Sequence, residues 1–333
     1  MRIIVPMAGL GKRMRPHTLT TPKPLIPIAG KPIVQRLVEY IAEMCEDKID
    51  HIAFIVGDFG KEVEKNLLKI AQNLGATGSI HLQADPLGTA HAILCAEEYL
   101  KEHVIIAFAD TLFYTDFKIN KEADGVIWVH KVENPQQFGV VKIGQEGYII
   151  EFIEKSPEII SDLAIIGIYY FKDGANLKHE LQYLIDHDIR EKGEFQLTTA
   201  MEHMKNKGLR LYPGEVKQWL DCGNKDATVA TNRQVLDYLR NDHLIDQSAI
   251  IENSTIIPPA FIGLGASIKN SIVGPHVSIG EKSIIENCIL KNSIVQTHSR
   301  IKNRLIQNSM IGNHVIMTGH MDELSIGDYS SNF

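Results

Sequence analysis

Cysteine is scarce and scattered in this chain, which has only Cys45, Cys95, Cys222 and Cys288 and no C-x-x-C pair. This spacing argues against a disulfide framework or a zinc site and favours reduced thiols in a cytoplasmic protein. Positive charge is not in excess either, because 34 Lys and Arg stand against 41 Asp and Glu, a formal net charge of −7. We therefore expect no nucleic-acid partner, since non-specific binding needs a basic face.

Long hydrophobic runs are also missing. No apolar stretch approaches the ~18 residues that read as a membrane-spanning helix. The first apolar residues are interrupted by Gly and Arg too early for a signal peptide. We expect no membrane partner.

Two well-known glycine signatures of nucleotide-binding proteins are absent. A phosphate-binding loop of the G-x-x-x-x-G-K-[ST] type needs Gly at the position of Pro6 and Ser or Thr at that of Arg13. A dinucleotide fingerprint needs a third glycine where Met14 stands. These differences exclude both classes.

The chain has instead a different glycine loop near its first strand. The apolar run Ile3–Val5 predicts a strand, and Pro6–Arg15 (PMAGLGKRMR) follows it directly. Gly9 and Gly11 allow a tight turn that directs backbone N–H groups toward an anion. This loop predicts a site for nucleotide phosphates.

Four cations lie close to this loop in sequence: Lys12, Arg13, Arg15 and Lys23, the last within Thr21–Pro27 (TPKPLIP). The glycine pair, Arg13 and the Pro-Lys-Pro segment together resemble the N-terminal signature of the sugar-nucleotide pyrophosphorylases. Members of that family join a nucleoside triphosphate to a sugar 1-phosphate. The resemblance extends over essentially the whole chain, with its segments in the expected order.

The first 242 residues alternate between strand-like and helix-like segments. Val104–Ala109 is a fully apolar strand, whereas Lys61–Leu74 and Thr89–Leu100 have helical spacing. This alternation predicts an α/β domain, a Rossmann-like, mostly parallel sheet with helices on both faces. Its ligands are expected beyond the carboxyl ends of the strands. Lys225–Leu239 is predicted as a last, connecting helix.

Residues 243–333 are predicted to form a second domain with a hexapeptide period. Aliphatic residues recur there every five or six positions, at Ile250, Ile256, Ile262, Ile268, Val273, Ile279, Ile285, Leu290, Val295, Ile301, Ile306, Ile311 and Met317. Such a ladder is typical of a parallel β-helix, here a short one of about four coils. We expect a left-handed β-helix that serves assembly of a homo-oligomer. A β-sandwich is the alternative.

Two aspartates follow apolar strand-like segments, Asp110 in FAD and Asp221 in WLD. Each alone fits a turn or a helix cap as well as a ligand. The resemblance implies that this pair binds the metal, and Mg²⁺ is the hard cation that one or two carboxylates with phosphate oxygens suit.

The segment Gln83–His91 (QADPLGTAH) resembles the base-recognition loop of the family. A glutamine amide donates and accepts hydrogen bonds at once, which matches a pyrimidine carbonyl and ring N–H. A plain turn is the alternative. The nucleotide-binding residues that the resemblance implies are Ala8, Gly9, Gly11, Lys12, Gln83, Pro86, Gly88, Thr89 and Asp110.

Phe138–Val141 and Phe152–Lys155 resemble the sugar-binding elements, and Gly167 begins a G-x-Y-x-F strand of the family. The sugar-phosphate residues so implied are Gly139, Glu154, Lys155 and Gly167. Two departures leave the sugar open, since Ser156 separates Lys155 from Pro157 and Asp162 stands near a position where the family often has Asn.

The resemblance implies transfer of a nucleotidyl group to a sugar 1-phosphate with release of pyrophosphate. Arg13 and Lys23 are the implied catalytic residues, and Mg²⁺ the cofactor. The pattern is nearest to enzymes that use thymidine triphosphate and glucose 1-phosphate, while uridylyl and guanylyl transfer stay open. An acyltransferase built on the β-helix and a non-catalytic regulatory homologue are the rival classes.

Overall fold

The computed structural model describes residues 1–45, 47–116, 118–320 and 322–329 of the chain. These residues form two compact units: residues 1–26 and 32–223 make the first, and residues 27–31 and 224–333 the second. The structure thus groups the helix at 225–238 with the second unit, whereas the sequence places the domain boundary after residue 242.

The regular elements before residue 224 alternate as the sequence predicts. The strands are β1 Arg2–Pro6, β2 Pro27–Ile28, β3 Lys31–Pro32, β4 His51–Val56, β5 Thr77–Leu82, β6 Val104–Ala107, β7 Thr111–Tyr114, β8 Gly125–Lys131, β9 Gly139–Ile143, β10 Ile149–Glu154, β11 Leu163–Phe171, β12 Leu211–Glu215 and β13 Gln218–Asp221. The α-helices are α1 Ile33–Met44, α2 Lys61–Asn73, α3 Thr89–Leu94, α4 Gly174–Asp186, α5 Leu197–Asn206 and, in the second unit, α6 Lys225–Tyr238.

Helix α3 is shorter than the predicted Thr89–Leu100. It ends at Leu94, and Ala96 leaves the helical conformation with φ −113° and ψ 34°. A separate 3-10 turn, Glu97–Tyr99, follows. The apolar spacing continued across this break, so the spacing alone did not show it.

The sheet of the first unit has the order β10-β9-β11-β6-β1-β4-β5, and β8 pairs with both β11 and β12. Its centre is parallel, since β1 runs parallel to β4 and β6, and β4 parallel to β5. Strand β11 joins it antiparallel to β6. The predicted α/β class is confirmed, with a sheet that is mixed outside its parallel centre.

Both faces of the central strands are covered. Ile3, Ile4 and Val5 of β1 are all fully buried although neighbouring side chains of a strand point to opposite faces. Ile4 belongs to a core cluster with residues of α3, α4 and α5. Strand β1 therefore lies inside the unit, and its carboxyl end presents the glycine loop.

The second unit contains a parallel β-helix, as the aliphatic period predicts. Its strands are β14 Ile250–Glu252, β15 Thr255–Ile256, β16 Ala260–Ile262, β17 Ser267–Lys269, β18 Ile272–Val273, β19 Val277–Ile279, β20 Ile284–Lys291, β21 Ser293–Val295, β22 Arg300–Gln307, β23 Met310–Ile311 and β24 Ile316–Thr318. The strands of successive coils pair in parallel; for example, Ser267 pairs with Ile250 of the coil before it and with Ile284 of the coil after it. The next coil, from Ile284 to its partner Arg300, is shorter by one residue.

Three columns of stacked side chains form the interior of this β-helix. The first column is Ile251, Ile268, Ile285, Ile301 and Met317, the second Ile256, Val273, Leu290 and Ile306, and the third Ile262, Ile279, Val295 and Ile311. The predicted ladder is wrong at its first position. Ile250 is half exposed and pairs with Ser267, while Ile251 pairs with the inward Ile268. The reason is that the two consecutive isoleucines are equally apolar, so the sequence does not show which of them points into the β-helix.

The corners of the coils use left-handed backbone. One corner recurs at Gly265, Lys282, His298 and His314, whose φ angles are 61°, 53°, 56° and 57°. Another recurs at Asn253, Asn270, Asn287 and Asn303. Asparagine and glycine tolerate this conformation best, which explains why they fill the positions between aliphatic residues.

None of the helices in the described ranges combines the length and apolar character that crossing a lipid bilayer requires.

Candidate active site

The glycine loop is held in one conformation by its neighbours. Gly11 has φ +56°, and a Cβ placed on it would lie 3.0 Å from Cγ2 of Thr18 and 3.1 Å from Cβ of Lys23. The Thr18 hydroxyl donates to the Gly11 carbonyl at 2.8 Å. Met14, fully buried, anchors the following turn. Glycine is needed here because the turn is left-handed and crowded.

This loop forms one wall of a cavity of about 440 Å³. The predicted residues that line it are Ala8, Gly9, Gly11, Lys12, Arg13, Lys23, Gln83, Pro86, Gly88, Thr89 and Asp110. The structure thus brings together every residue that the resemblance implied for the nucleotide, from segments around residues 10, 85 and 110. Phe108, Ala92 and Glu194 line the same cavity and were not predicted.

Lys23 is positioned firmly within this cavity. Only 8% of the residue is exposed, and its Nζ lies 3.0 Å from Oδ2 of Asp110. Asp110 is half exposed just beyond the end of β6, so the pair has one buried cation and one accessible carboxylate. The Lys23 ammonium thus lies at the cavity wall beside Asp110, where an anion entering the cavity would contact it.

The two predicted metal ligands lie at the same edge because their strands pair. Strand β7 is antiparallel to β13, with Thr111 opposite Asp221, and the Cys222 N–H donates to the Asp110 carbonyl at 3.1 Å. Burial and the negative charge of Asp110 raise the pKa of Asp221, an effect that Lys23 and Arg13 oppose. Two carboxylates that repel each other at one edge suit a divalent cation, which phosphate and water also coordinate.

Arg13 lies next to the same aspartate. A Cβ on Gly223 would be 3.0 Å from both carboxylate oxygens of Asp221 and 3.3 Å from Nη2 of Arg13. The Gly223 N–H donates to Oδ1 of Asp221 at 2.9 Å. Glycine at 223 therefore lets the guanidinium and the carboxylate approach each other.

The predicted base-recognition loop is fixed by hydrogen bonds at both ends. Nε2 of Gln83 donates to the Gly88 carbonyl at 3.3 Å and lies 3.2 Å from Nδ1 of His91. Gly88 has φ +118°, and a Cβ there would lie 2.4 Å from the Phe195 carbonyl oxygen. The Phe195 N–H donates to the Leu87 carbonyl, and the Ala90 N–H to that of Phe195, both at 2.9 Å.

Residues 194–196 support the base-recognition loop from a distant part of the sequence. Gln196 accepts from the Thr89 hydroxyl at 3.1 Å and donates to Glu194 at 3.0 Å. Glu194 itself lines the cavity. Thr89 and Gln196 are 107 positions apart, so no local sequence pattern predicts that this segment borders the base loop.

The predicted sugar-phosphate residues form a second group. A Cβ on Gly139 would lie 3.0 Å from Oε2 of Glu154, which also accepts from the Thr198 hydroxyl at 3.4 Å. Lys155, with φ +45°, places its Nζ 3.2 Å from Oε1 of Glu154. None of these residues, nor Gly167 or Asp221, is among the described residues that line the cavity.

Two aromatic residues connect this second group to the cavity. The Phe108 N–H donates to the Gly167 carbonyl at 2.9 Å, and the Phe108 ring packs edge-on against Tyr169. Burial raises the pKa of Tyr169, and the negative charges of Glu154 and Asp110 add to that rise. Glu154 and Asp110 therefore both lie close to the same buried phenol.

The arrangement defines the class of protein. The cationic glycine loop and Asp110 follow the carboxyl ends of the parallel strands β1 and β6, where open α/β sheets bind their ligands, and the antiparallel pairing of β13 with β7 brings Asp221 to the same edge. Fixed cations facing a carboxylate pair suit the transfer of a phosphoryl group, which depends on positioning and charge neutralisation. This is a nucleotide-binding α/β enzyme domain.

Comparison with known proteins identifies the family. The family model for nucleotidyl transferases matches residues 3–238. A glucose-1-phosphate thymidylyltransferase of Streptomyces antibioticus is 31% identical over 343 residues, covering 96% of this chain and 94% of that protein. One of Streptomyces griseus is 29% identical over 359 residues, covering 99% of this chain and 98% of the other. The chain belongs to the nucleotidyl transferase family and is a sugar-1-phosphate nucleotidyltransferase.

The fold agrees with this membership. A crystal structure of UDP-glucose pyrophosphorylase complexed with UDP-glucose superimposes with a TM-score of 0.58 at 22% identity. The match covers 71% of this chain and 98% of that one. At this identity the likeness concerns the fold alone.

Proposed function

We propose that this enzyme converts deoxythymidine triphosphate and glucose 1-phosphate into deoxythymidine diphosphate glucose and pyrophosphate. The observation that supports it most is the grouping of the cationic glycine loop, Gln83 and Asp110 around one cavity. The two Streptomyces relatives, similar over nearly their full lengths, are thymidylyltransferases that act on glucose 1-phosphate.

In this reaction a phosphate oxygen of the sugar attacks the α-phosphorus of the nucleotide. The new P–O bond forms as the bond to the bridging oxygen breaks, and that oxygen leaves with pyrophosphate. No general base is required, since the attacking oxygen is already ionised at neutral pH. The barrier is repulsion between anions, which positioned cations reduce.

Arg13 and Lys23 are the cations that we assign to this task. Arg13, an exposed residue beside Asp221, would bind the departing pyrophosphate. Lys23 would contact the α-phosphate and the sugar phosphate, because its ammonium is held at Asp110 within the cavity. Lys12 and the backbone of Ala8, Gly9 and Gly11 would face the remaining phosphates of the nucleotide.

Asp110 and Asp221 would hold Mg²⁺ as the cofactor. The raised pKa of Asp221, caused by burial and by Asp110, indicates a carboxylate pair that a cation would stabilise. When bound, such an ion neutralises phosphate charge and orients the reacting groups. Among the described residues no cluster of three or more His, Cys, Asp or Glu side chains suits a metal, so phosphate and water would complete the coordination.

The sugar phosphate would bind at the second group. Gly139 leaves space beside Glu154, whose carboxylate would accept hydrogen bonds from the sugar hydroxyls. Lys155 would contact the phosphate of the sugar. Gly167, whose carbonyl accepts from the Phe108 N–H, would border the sugar. Gln83, Pro86, Gly88 and Thr89 would recognise the base.

The test is pyrophosphate release with Mg²⁺. The triphosphates of deoxythymidine, uridine, guanosine, cytidine and adenosine are each combined with the 1-phosphates of glucose, mannose and N-acetylglucosamine. We expect the thymidine triphosphate and glucose 1-phosphate pair to be fastest. Uridine triphosphate is expected to follow closely, since one methyl group in an apolar pocket is worth only ~1–3 kcal/mol. Faster turnover with guanosine triphosphate and mannose 1-phosphate would overturn the substrate assignment.

Location and assembly form a separate part of the proposal. No disulfide joins Cys45, Cys95, Cys222 or Cys288, as is usual in a cytoplasmic protein. We propose a homo-oligomer in which the β-helix, expected to be left-handed, takes part in assembly. We also propose that the catalytic residues all lie within residues 1–242 and that residues 243–333 serve assembly. If the folded protein released no pyrophosphate with any substrate pair, the regulatory alternative would be favoured.

A further inference from the structure

The segment after the last β-helix strand repeats the pattern of the third column. Each coil has an aliphatic residue of that column followed by Gly or Gln: Ile262-Gly263, Ile279-Gly280, Val295-Gln296 and Ile311-Gly312. Ile326-Gly327 continues this series after Ile311-Gly312. The step from Ile311 to Ile326 is one residue shorter than the step from Val295 to Ile311, so the spacing is that of one more, slightly shorter coil.

The backbone of this segment already has the matching corner. In every coil the corner lies three residues after the column residue, in left-handed conformation, as at His298 (φ 56°) and His314 (φ 57°). Tyr329, three residues after Ile326, has φ 60°. A large aromatic residue rarely adopts this conformation without a reason. The repeat supplies that reason, since Tyr329 is placed as the next corner.

The segment nevertheless leaves its apolar side chains exposed. Leu324 is 69% and Ile326 61% accessible. Among the described residues no strand pairs with residues 322–327, and β23 (Met310–Ile311) has β21 as its single strand neighbour. Within that part of the chain, one open strand edge and one unpaired strand-like segment thus occur close together in sequence.

The connecting segment is long enough for the repeat at Ile326 to continue the β-helix of its own molecule. Glu286, Lys302 and Thr318 are stacked partners, and each comes directly after a residue of the first column. Ser293 lies seven positions after Glu286, and Ser309 lies seven positions after Lys302, at the start of the third-column segments. Six residues lead from Thr318 to Leu324, which spans a comparable distance without requiring a second molecule.

We propose that residues 324–327 are a further strand of the β-helix, which pairs in parallel with residues 309–312 of its own chain. Ile326 then stacks on Ile311 in the third column. This pairing covers the edge of β23, and an exposed strand edge otherwise invites pairing with another molecule. The segment is thus a terminal capping repeat of the kind that stacked-repeat proteins need.

The test is a pair of cysteines in the full-length chain, Ile311→Cys with Ile326→Cys, under mild oxidation. Neighbouring strands bring stacked residues within the distance that a disulfide spans. We expect a cross-link within one chain, located by mass spectrometry of the digested protein. The matched control is Ile311→Cys with Ser325→Cys, because residue 325 points to the opposite face; it should cross-link at least about tenfold more slowly.

Two outcomes would overturn the proposal. A cross-link between two chains would show that the strand pairs with a second copy, and equal rates in both pairs would show that it does not pair in register. Hydrogen exchange on the unmodified protein avoids any effect of the substitutions. We expect the amides of residues 325–327 to exchange at least about tenfold more slowly than in a free peptide, and equal rates would contradict the pairing.

Discussion

Arg13 and Lys23 differ in how firmly the fold holds them, although both face the proposed phosphate site. Lys23 is buried and paired with Asp110, whereas Arg13 is exposed. Replacing either by Ala removes a positioned cation from the place where negative charge accumulates. We expect kcat to fall by roughly 10²–10³ in each variant, by analogy with the loss of one preorganised donor.

Arg15→Ala is the matched control for this experiment. Arg15 belongs to the same cationic group in sequence and is exposed, but it does not line the cavity. We expect its kcat to stay within about twofold of the parent, since Arg15 lies outside the cavity and faces none of the proposed phosphate positions. An equal loss in all three variants would mean that general positive potential matters and that individual positions do not.

Gly88 tests how the base loop is built. Gly88→Ala would place a methyl group 2.4 Å from the Phe195 carbonyl, at φ +118°. Gly208→Ala is the control, because Gly208 also has a positive φ of 96° but nothing within 4 Å of a Cβ. We expect Gly88→Ala to lower the free energy of unfolding by about 1–3 kcal/mol more than the control. Urea unfolding measures this, and equal losses would show that Phe195 does not restrict the loop.

Single residues of the site were predictable where they lie close together in sequence. Gly11, Arg13 and Lys23 lie within one short stretch, so their grouping in one cavity needed no knowledge of the fold. The contact of Gly88 with Phe195 joins segments more than a hundred residues apart. Nothing in either segment alone specifies that distance, and this is why Glu194 was not predicted to line the cavity.

At the scale of elements, the pairing of β4 with β5 places His51 where it should make stability depend on pH. Ser79 Oγ lies 2.8 Å from Nε2 of both His51 and His81, and the His51 ring stacks on Tyr99. Burial, and then the charge of His81, lower the pKa of His51 below its ordinary value of 6.5, although Glu98 opposes this. The folded protein therefore binds fewer protons there than the unfolded chain does.

It follows that His51 costs stability as the pH falls below its unfolded pKa, because the unfolded state then binds protons preferentially. We expect the fall in Tm between about pH 7.5 and about pH 5.5 to be ~1–3 °C smaller in His51→Gln than in the parent. His243→Gln, an exposed position, is the control. An unchanged pH dependence in His51→Gln would mean that the lowered pKa of His51 does not contribute to stability in this range.

The elements themselves were predictable to the extent that their side chains alternate with one clear period. The period of the β-helix indicated its coils, yet Ile250 was placed inward because Ile251 beside it is equally apolar. The phase became visible only through pairing with Ile268 of the next coil. Strand pairing depends on residues that lie far apart in sequence, so a single aliphatic residue does not specify it.

At the scale of the whole molecule, the division into two units also depends on contacts between residues that lie far apart in sequence. Helix α6 follows the α/β domain directly and has an apolar face, so the sequence places it in that domain. In the structure it lies in the second unit, where Asn232 of α6 accepts from the Ala29 N–H at 2.9 Å and from the Ser278 hydroxyl at 2.8 Å. These partners are 203 and 46 residues from Asn232 along the chain.

Two fragments test which division the protein uses when it folds. A fragment of residues 1–242 keeps α6 but lacks Ser278 and the strands of the β-helix, so the buried side chains Val235 and Leu236 lose the unit they belong to. A fragment of residues 1–223 lacks α6 as well and avoids this exposure. We expect the longer fragment to bind a hydrophobic dye more strongly and to aggregate more, because unpartnered apolar faces promote association. If the longer fragment were instead the more stable and monodisperse of the two, α6 would belong to the catalytic domain, as residues 1–242 were predicted to be.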